Sequence, residues 1–481
     1  MPLSPYAYSE VSTNVPLDHW AYEILDRLAG QNLTVSSMPS TRPYSRSEMA
    51  RLIVEAADSA AQTANLPPIT RNWIQRLEEE FIYEVDRLRT PNLGFANSHV
   101  KPVEDPYLRY VYGKYPFDKE NESGDMFQPH DNWRLGFTTR GVLGKHFAYS
   151  LRPECRDSAG MDSEATLREG YGKFGLGGLD VEFGKDTLWW GPGRHGAMLI
   201  SNNAEPYTML KISNDQPILL PWIFRYLGPF KAVYFVTELE KERYQPQAQF
   251  SGLRLNMKPH PLVDFGLSRT IMFGGDNFDI GLWDYLQIFW PKNVQGNENQ
   301  MSSIDLSIRV PMPKAVPMSS LTVYGIFSGE DSAGFSKYVP SLGLQLNDLL
   351  RAGRTDLRFE YAYTHINGFP NTFYQHTIFQ SGHTYEGRVM GHHIGTDARD
   401  TFVRLTHDFT SDLRLGVDWD QEIGNVYSSP QPRRTQYGID IKWFAQKRWQ
   451  LQARYQYEDI KNDTSRPHYN HIADIVLVYD F

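Results

Sequence analysis

The sequence predicts an all-β transmembrane fold: a closed antiparallel outer-membrane β-barrel of about 18 strands, preceded by a small N-terminal α-helical bundle. Three observations carry that expectation. Aromatic residues make up 14% of the 481 residues, with 28 Tyr and 11 Trp. The mean hydropathy is nevertheless -0.49, and no apolar run approaches the ~18 residues that a spanning helix needs. Aromatic enrichment without hydrophobic runs fits strands that alternate between lipid and lumen, although on composition alone a soluble propeller or sandwich is the alternative. From Tyr107 onward the pattern has period two, with repeated charges on the second face of each strand. A soluble barrel would have to bury those charges or expose the aromatics. A lipid-embedded barrel turns the apolar set outward and the charged set into a wet lumen.

Helical signals dominate residues 1–105. In HWAYEILDRLAG, Trp20, Ile24, Leu25 and Leu28 share a face and Gly30 is a stop. Ser45 and Glu48 have capping-box spacing ahead of Met49, Leu52 and Ile53. TRNWIQRLEEEFIYEVDRLR then repeats Trp73, Leu77, Phe81, Val85 and Leu88 as one stripe of a third helix. The stretch PLDHWAYEILDRLAGQ with RPYSRSEMARLI loosely resembles an S-layer homology module, which in some outer-membrane proteins faces peptidoglycan; a plain bundle capping the barrel is the simpler reading.

The barrel is expected over residues 106–481. In DNWRLGFTTRGVLG, Trp133, Leu135 and Phe137 alternate with Arg134, Gly136 and Thr138; in WQLQARYQYEDI, Trp449, Leu451, Ala453 and Tyr455 alternate with Gln450, Gln452, Arg454 and Gln456. Short connections at 144–146, 175–178, 227–230, 258–261, 311–319, 410–412 and 445–448 mark one end, and long loops the other. Strands are expected near 107–115, 133–143, 147–154, 165–175, 179–188 and 217–227, with about twelve more from Phe230 onward. PYTMLKIS at 206–213 also alternates, but counting it would make the total odd, so residues 189–216 are assigned to one infolded excursion. The chain closes on HIADIVLVYDF, and a terminal strand ending in an aromatic, here Phe481, resembles the signal by which bacterial outer-membrane barrels are recognised for assembly.

A net charge of -9 argues against a nucleic-acid partner. The single cysteine, Cys155, allows neither a disulfide framework nor a cysteine zinc site. MPLSPYAYSE shows no basic n-region or apolar core, so a signal peptide is expected to have been omitted or removed. Gly191, Gly193 and Gly196 in WWGPGRHGAMLISNNA have the G-x-G-x-x-G spacing of dinucleotide-binding loops, with Asp215 where the ribose-binding acid would lie. The context fails: no buried strand precedes it, AMLIS is too short for the crossover helix, and Pro192 removes an N–H. His365, His376, His383, His392 and His393 cluster in sequence, but their spacings match no compact ligand motif. Loop hydrogen bonding is expected of them, with no metal and no cofactor. The carboxylate pairs Asp418 with Asp420 and Glu330 with Asp331 read as ordinary barrel-wall or loop groups. No nucleophile elbow, H-E-x-x-H or P-loop occurs.

The stretches WWGPGRHGAMLISNNA, PWIFRYLGPFKAVYFVTELEKER (221–243), GLSRTIMFGGD (266–276) and YQHTIFQSGHTYEGRVMGHHIGTD (374–397) resemble the Wzi-type capsule assembly family. That resemblance implies an 18-stranded outer-membrane barrel of a Gram-negative bacterium, with its N-terminal region periplasmic, that retains capsular polysaccharide as a lectin and not as an enzyme. Aromatic faces suit sugar C–H patches, and Arg, Asn and carboxylate groups suit hydroxyls and uronic acids. The loop residues of those types are Trp189, Trp190, Arg194, His195, Asn202 and Asn203 in one excursion and Tyr385, Arg388 and His392 in another. Each has a simpler role as a loop-shaping residue or as part of an interface girdle. The expected partners are capsular or other surface polysaccharide, outer-membrane lipid and lipopolysaccharide, and peptidoglycan through the bundle. Two other functions compete: a small-solute channel lined by Arg134, Arg140, Arg254, Arg404 and Arg454, and an envelope tether acting through the N-terminal bundle.

Overall fold

The computed structural model describes residues 11–90, 98–276, 278, 281–289, 298–330, 337–445 and 448–480. Phe481, the first ten residues, Asp331 and the turn residues 446–447 lie outside that set. Eighteen antiparallel strands close into a barrel in sequence order. They are β1 (His99–Gly113), β2 (His130–Leu143), β3 (Phe147–Ser158), β4 (Glu164–Leu176), β5 (Leu179–Asp186), β6 (Tyr207–Asn214), β7 (Pro229–Glu238), β8 (Gln249–His260) and β9 (Val263–Phe273). The second half comprises β10 (Asn299–Pro311), β11 (Ser320–Glu330), β12 (Tyr338–Leu349), β13 (Thr355–Tyr363), β14 (Arg399–Asp408), β15 (Leu413–Ile423), β16 (Arg433–Ala445), β17 (Trp449–Lys461) and β18 (Tyr469–Tyr479). The seam closes where Tyr107 to Gly113 of β1 pairs with Val478 to Ile472 of β18.

The alternation sorts as physics requires. Trp133, Leu135, Phe147, Phe183, Phe327, Ile439, Trp443 and Trp449 stand exposed on the outer face, while Arg134, Arg140, Arg254, Asp305 and Glu458 are buried inside. No described helix is long and apolar enough to cross a membrane; the outer band of the sheet is the apolar surface.

Two expectations are corrected. Residues 207–214 are a spanning strand, paired with β5 from Tyr207↔Asp186 to Asn214↔Leu179 and with β7 from Met209↔Thr237 to Ser213↔Val233. The segment assigned to the sixth strand, 217–227, instead forms a two-residue bridge and a 3-10 helix, Trp222–Leu227. Its side chains Trp222, Ile223, Phe224 and Tyr226 project from the short-turn end, where amphipathic aromatic groups suit a membrane interface. Exchanging one segment for the other leaves the total at 18, and the infolded excursion shrinks to 187–206.

The described N-terminal residues form four helices, not three: α1 (Ala21–Gly30), α2 (Arg46–Ala61), α3 (Pro68–Glu80) and α4 (Ile82–Arg89). Ser45 caps α2 by accepting the Glu48 N–H at 3.1 Å. The expected third helix breaks at Phe81 because Arg46 takes the Glu80 carbonyl (2.9 Å) while pairing with the carboxylates of Glu80 (3.1 Å) and Glu84 (2.8 Å). The helices share one apolar core containing Leu28, Met49, Ile53, Trp73 and Phe81. They sit in the short-turn mouth, not below it. Arg27 of α1 pairs with Asp408 (2.5 Å) and Asp356 (3.4 Å), Arg414 with Glu23, and Arg76 with Asp412. The segment ahead of α2 reaches further in: Ser40 and Thr41 hydrogen-bond to Asp264 and Asn256 (both 2.9 Å).

Candidate functional site

Residues 187–206 leave the loop end of β5 and turn back into the lumen. Trp189 and Trp190 pair antiparallel with Arg42 and Thr41 of the N-terminal segment, and the Gly191 N–H donates to Ser40 O at 2.8 Å. Gly191 has φ +133°, a conformation open to glycine, and reverses the chain behind the tryptophans. A Cβ on Gly196 would stand 2.2 Å from the His392 Nε2. The glycines therefore serve an inward turn and a close approach.

Of the nine residues singled out from sequence, seven lie in the interior. Trp190 is buried edge-on to Phe235 (5.5 Å), and the Trp189 indole N–H donates to Gly193 O (3.0 Å). Neither belongs to an interface girdle. Arg194 grips Asp26 of α1 through Nε (2.8 Å) and Nη2 (3.1 Å), a bidentate charge-assisted pair. Burial alone would raise the Asp26 carboxyl, but the guanidiniums of Arg194 and Arg42 outweigh it and hold the group well below the usual carboxylate range. Glu360 accepts the backbone N–H groups of Arg194 (3.0 Å) and His195 (3.1 Å). Asn203 donates to Val389 O (2.9 Å), and Asn202 lines an inner cavity of about 390 Å³. His392 is buried, its N–H donating to the Tyr374 hydroxyl (2.8 Å). Tyr385 and Arg388 lie among the loops and are also half-buried, the Arg388 side chain being covered as fully as that of Arg194. Tyr385 packs on Tyr207 (5.3 Å), while Arg388 pairs with Asp118 (3.0 Å) and donates to Lys119 O (2.8 Å).

The fold also assembles a group that sequence spacing hid. The His195 ring stacks on Phe402 at 3.8 Å and brings Nε2 within 3.2 Å of Asp400 Oδ2 and 3.5 Å of Asp420 Oδ2. His393 Nε2 lies 3.3 Å from Glu422 Oε1 and 3.5 Å from Asp400 Oδ2. Burial opposes protonation of both imidazoles. Asp400 and Asp420 reverse this for His195, whose pKa rises well above the ordinary value; Asp400 and Glu422 do the same for His393, raised to about 9. His392 goes the other way, burial and the neighbouring His393 keeping it neutral. The signal that could have found the acids is the period of two: Asp400, Phe402 and Arg404, and likewise Asp418, Asp420 and Glu422, share a lumen face.

Beneath these loops lies a cavity of about 1310 Å³. Its lining runs from Ser411, Asp412 and Arg448 at the short-turn end to Glu120, His195 and Asp420 at the loop end. The five arginines proposed for a channel wall do face inward, all of them in ion pairs: Arg134 with Asp125, Arg140 with Glu104, Arg254 with Asp305, and Arg404 and Arg454 both with Asp418.

Comparison with known proteins places this architecture. A solved structure from Escherichia coli, Wzi, described as an outer membrane protein involved in group 1 capsule assembly and a carbohydrate binding β-barrel, superposes with a TM-score of 0.76. The two are 18% identical, and the match covers 97% of this chain and 99% of that one. A Klebsiella pneumoniae protein, described as an uncharacterized 55.8 kDa protein in the cps region, is 25% identical over 174 residues. That alignment covers 35% of this chain and 33% of the relative's length. The model of the family "Capsule assembly protein Wzi" matches residues 114–472, most of the barrel and its loops, and the chain belongs to that family.

Proposed function

We propose that this protein is a non-catalytic lectin of the outer membrane that holds capsular or another surface polysaccharide at the cell surface, with its helical region on the periplasmic side. One observation carries the reading beyond family membership: the lumen is entered from both mouths, by the N-terminal segment and by the infolded loops, and its five candidate channel arginines are all engaged with carboxylates. A polymer is then met by the loops, where Tyr385 and Arg388 stand half-buried, the guanidinium of Arg388 paired with Asp118. The Escherichia coli structure, described as carbohydrate binding, supports the same class of ligand. The exposed apolar band supports the membrane setting.

Cells lacking the gene, or carrying Tyr385→Ala with Arg388→Ala, are expected to release polysaccharide into the medium while total synthesis stays constant. Unchanged retention in both strains would sink the reading. The channel alternative is met by planar-bilayer recording: the lectin reading expects little conductance, and stable open steps would favour a porin. Binding of the purified chain to peptidoglycan would instead favour the tether.

A further inference from the structure

We propose that His195, His393, Asp400 and Asp420 form a binding site for one divalent transition-metal cation, which staples the two infolded loops to the barrel wall. The four side chains come from separate places: His195 from the 187–206 loop, His393 from the loop between β13 and β14, Asp400 from β14 and Asp420 from β15. The donor atoms of His195, His393 and Asp400 lie within 4.8 Å of one another, and His393, Asp420 and Glu422 form an overlapping set.

Three features point to a cation. Donors held about 2.0–2.2 Å from a common metal stand roughly 3.0–3.5 Å from each other, the range of the His195–Asp400 (3.2 Å), His195–Asp420 (3.5 Å) and His393–Asp400 (3.5 Å) separations. These contacts lack hydrogen-bond alignment: His195 Nε2, both ring nitrogens of His393, Asp400 Oδ1 and both oxygens of Asp420 make no hydrogen bond. Such buried groups are expensive to leave unmatched, and Asp400 and Asp420 are each only 2% exposed. Glu422, by contrast, is taken by Arg434 (2.7 and 2.9 Å), which leaves two carboxylates and two imidazoles for the ion. Mixed imidazole and carboxylate donors suit Zn²⁺, Co²⁺ or Mn²⁺. His195 and Asp420 both line the large cavity, which supplies a route in.

The test uses the full chain in detergent, stripped with chelator, equilibrated with Zn²⁺, Co²⁺ or Mn²⁺ and desalted, with bound metal counted by mass spectrometry and the visible band of Co²⁺ recorded. One cation per chain and a higher Tm with metal are expected. Asp420→Asn and His393→Gln should each weaken binding about tenfold or more, while the heat-modifiable gel shift confirms a closed barrel. Substoichiometric metal in the unmodified protein with all three cations, or undiminished binding in both variants, would overturn the proposal.

Discussion

The two halves of the lumen are built on different principles. Along β6 to β12 the inward side chains near the loop end are apolar, and Tyr207, Phe235, Phe250, Met272, Met301, Ile326 and Val339 join Trp190, Leu199, Ile200, Phe373, Phe379 and Met390 of the loops in one core. Around the rest of the circumference, in β1 to β4 and β13 to β18, the inward groups are charged or amide side chains facing the large cavity. The loop cap therefore leans on one wall as a domain core does, through close-packed apolar area. The opposite wall supports itself by ion pairs and leaves space. A barrel of this circumference is too wide for side chains to fill alone, and this chain fills one side of it with its own loops.

If that contrast is right, Phe235→Ala should cost about 3–5 kcal/mol of stability, the range for an aromatic deleted from a packed core. Gln452→Ala on the hollow wall should stay within about 0.5 kcal/mol. Thermal unfolding followed by the heat-modifiable gel shift compares them, and equal losses would erase the distinction. Next in size, Asp26→Ala leaves the Arg194 guanidinium inside without its carboxylate, an expected loss of about 3 kcal/mol. Because the packed wall still holds Trp190, faster hydrogen exchange should appear first between Pro192 and Gly196. The smallest effect is set by pH. Burial drives His383 down to about 4, and its ring meets Leu199 O at 2.8 Å and stacks on Tyr374. A histidine whose folded pKa is depressed takes its proton first in the unfolded chain, so stability is full above about 6.5 and falls as the pH drops towards 4. Between pH 7 and 5 the loss is roughly 2 kcal/mol. His383→Gln should flatten that part of the stability profile; an unchanged slope would remove His383 from the account.

Much of the wall was legible in the sequence, because a strand with lipid on one side and charged groups on the other has to alternate. Trp133 against Arg134 and Tyr455 against Arg454 sort to opposite faces for that reason. The sixth strand was not legible: 206–213 and 217–227 both read as strands, and a parity rule cannot choose between segments that substitute one for one. The helix break at Phe81 was hidden because its cause, Arg46, lies in another helix. The excursion was read as infolded, yet what it meets was not, since Asp26, Glu360 and Asp400 are far away in sequence. Histidine spacing could not show this neighbourhood for a related reason: His195, whose ring lies 4.7 Å from that of His393, comes from another loop, and the acids beside them from two strands.

The contact between Thr41–Arg42 and Trp189–Trp190, together with the Arg194–Asp26 pair, joins a segment entering from one mouth to a loop entering from the other. It makes the two compartments thermodynamically reciprocal. Any ligand that binds more tightly to one arrangement of the outer loop must, by linkage, shift the seating of α1 by the same free energy, and anything that engages the helices acts back on the loop equally. In that sense a barrel entered from both mouths passes free energy from one mouth to the other.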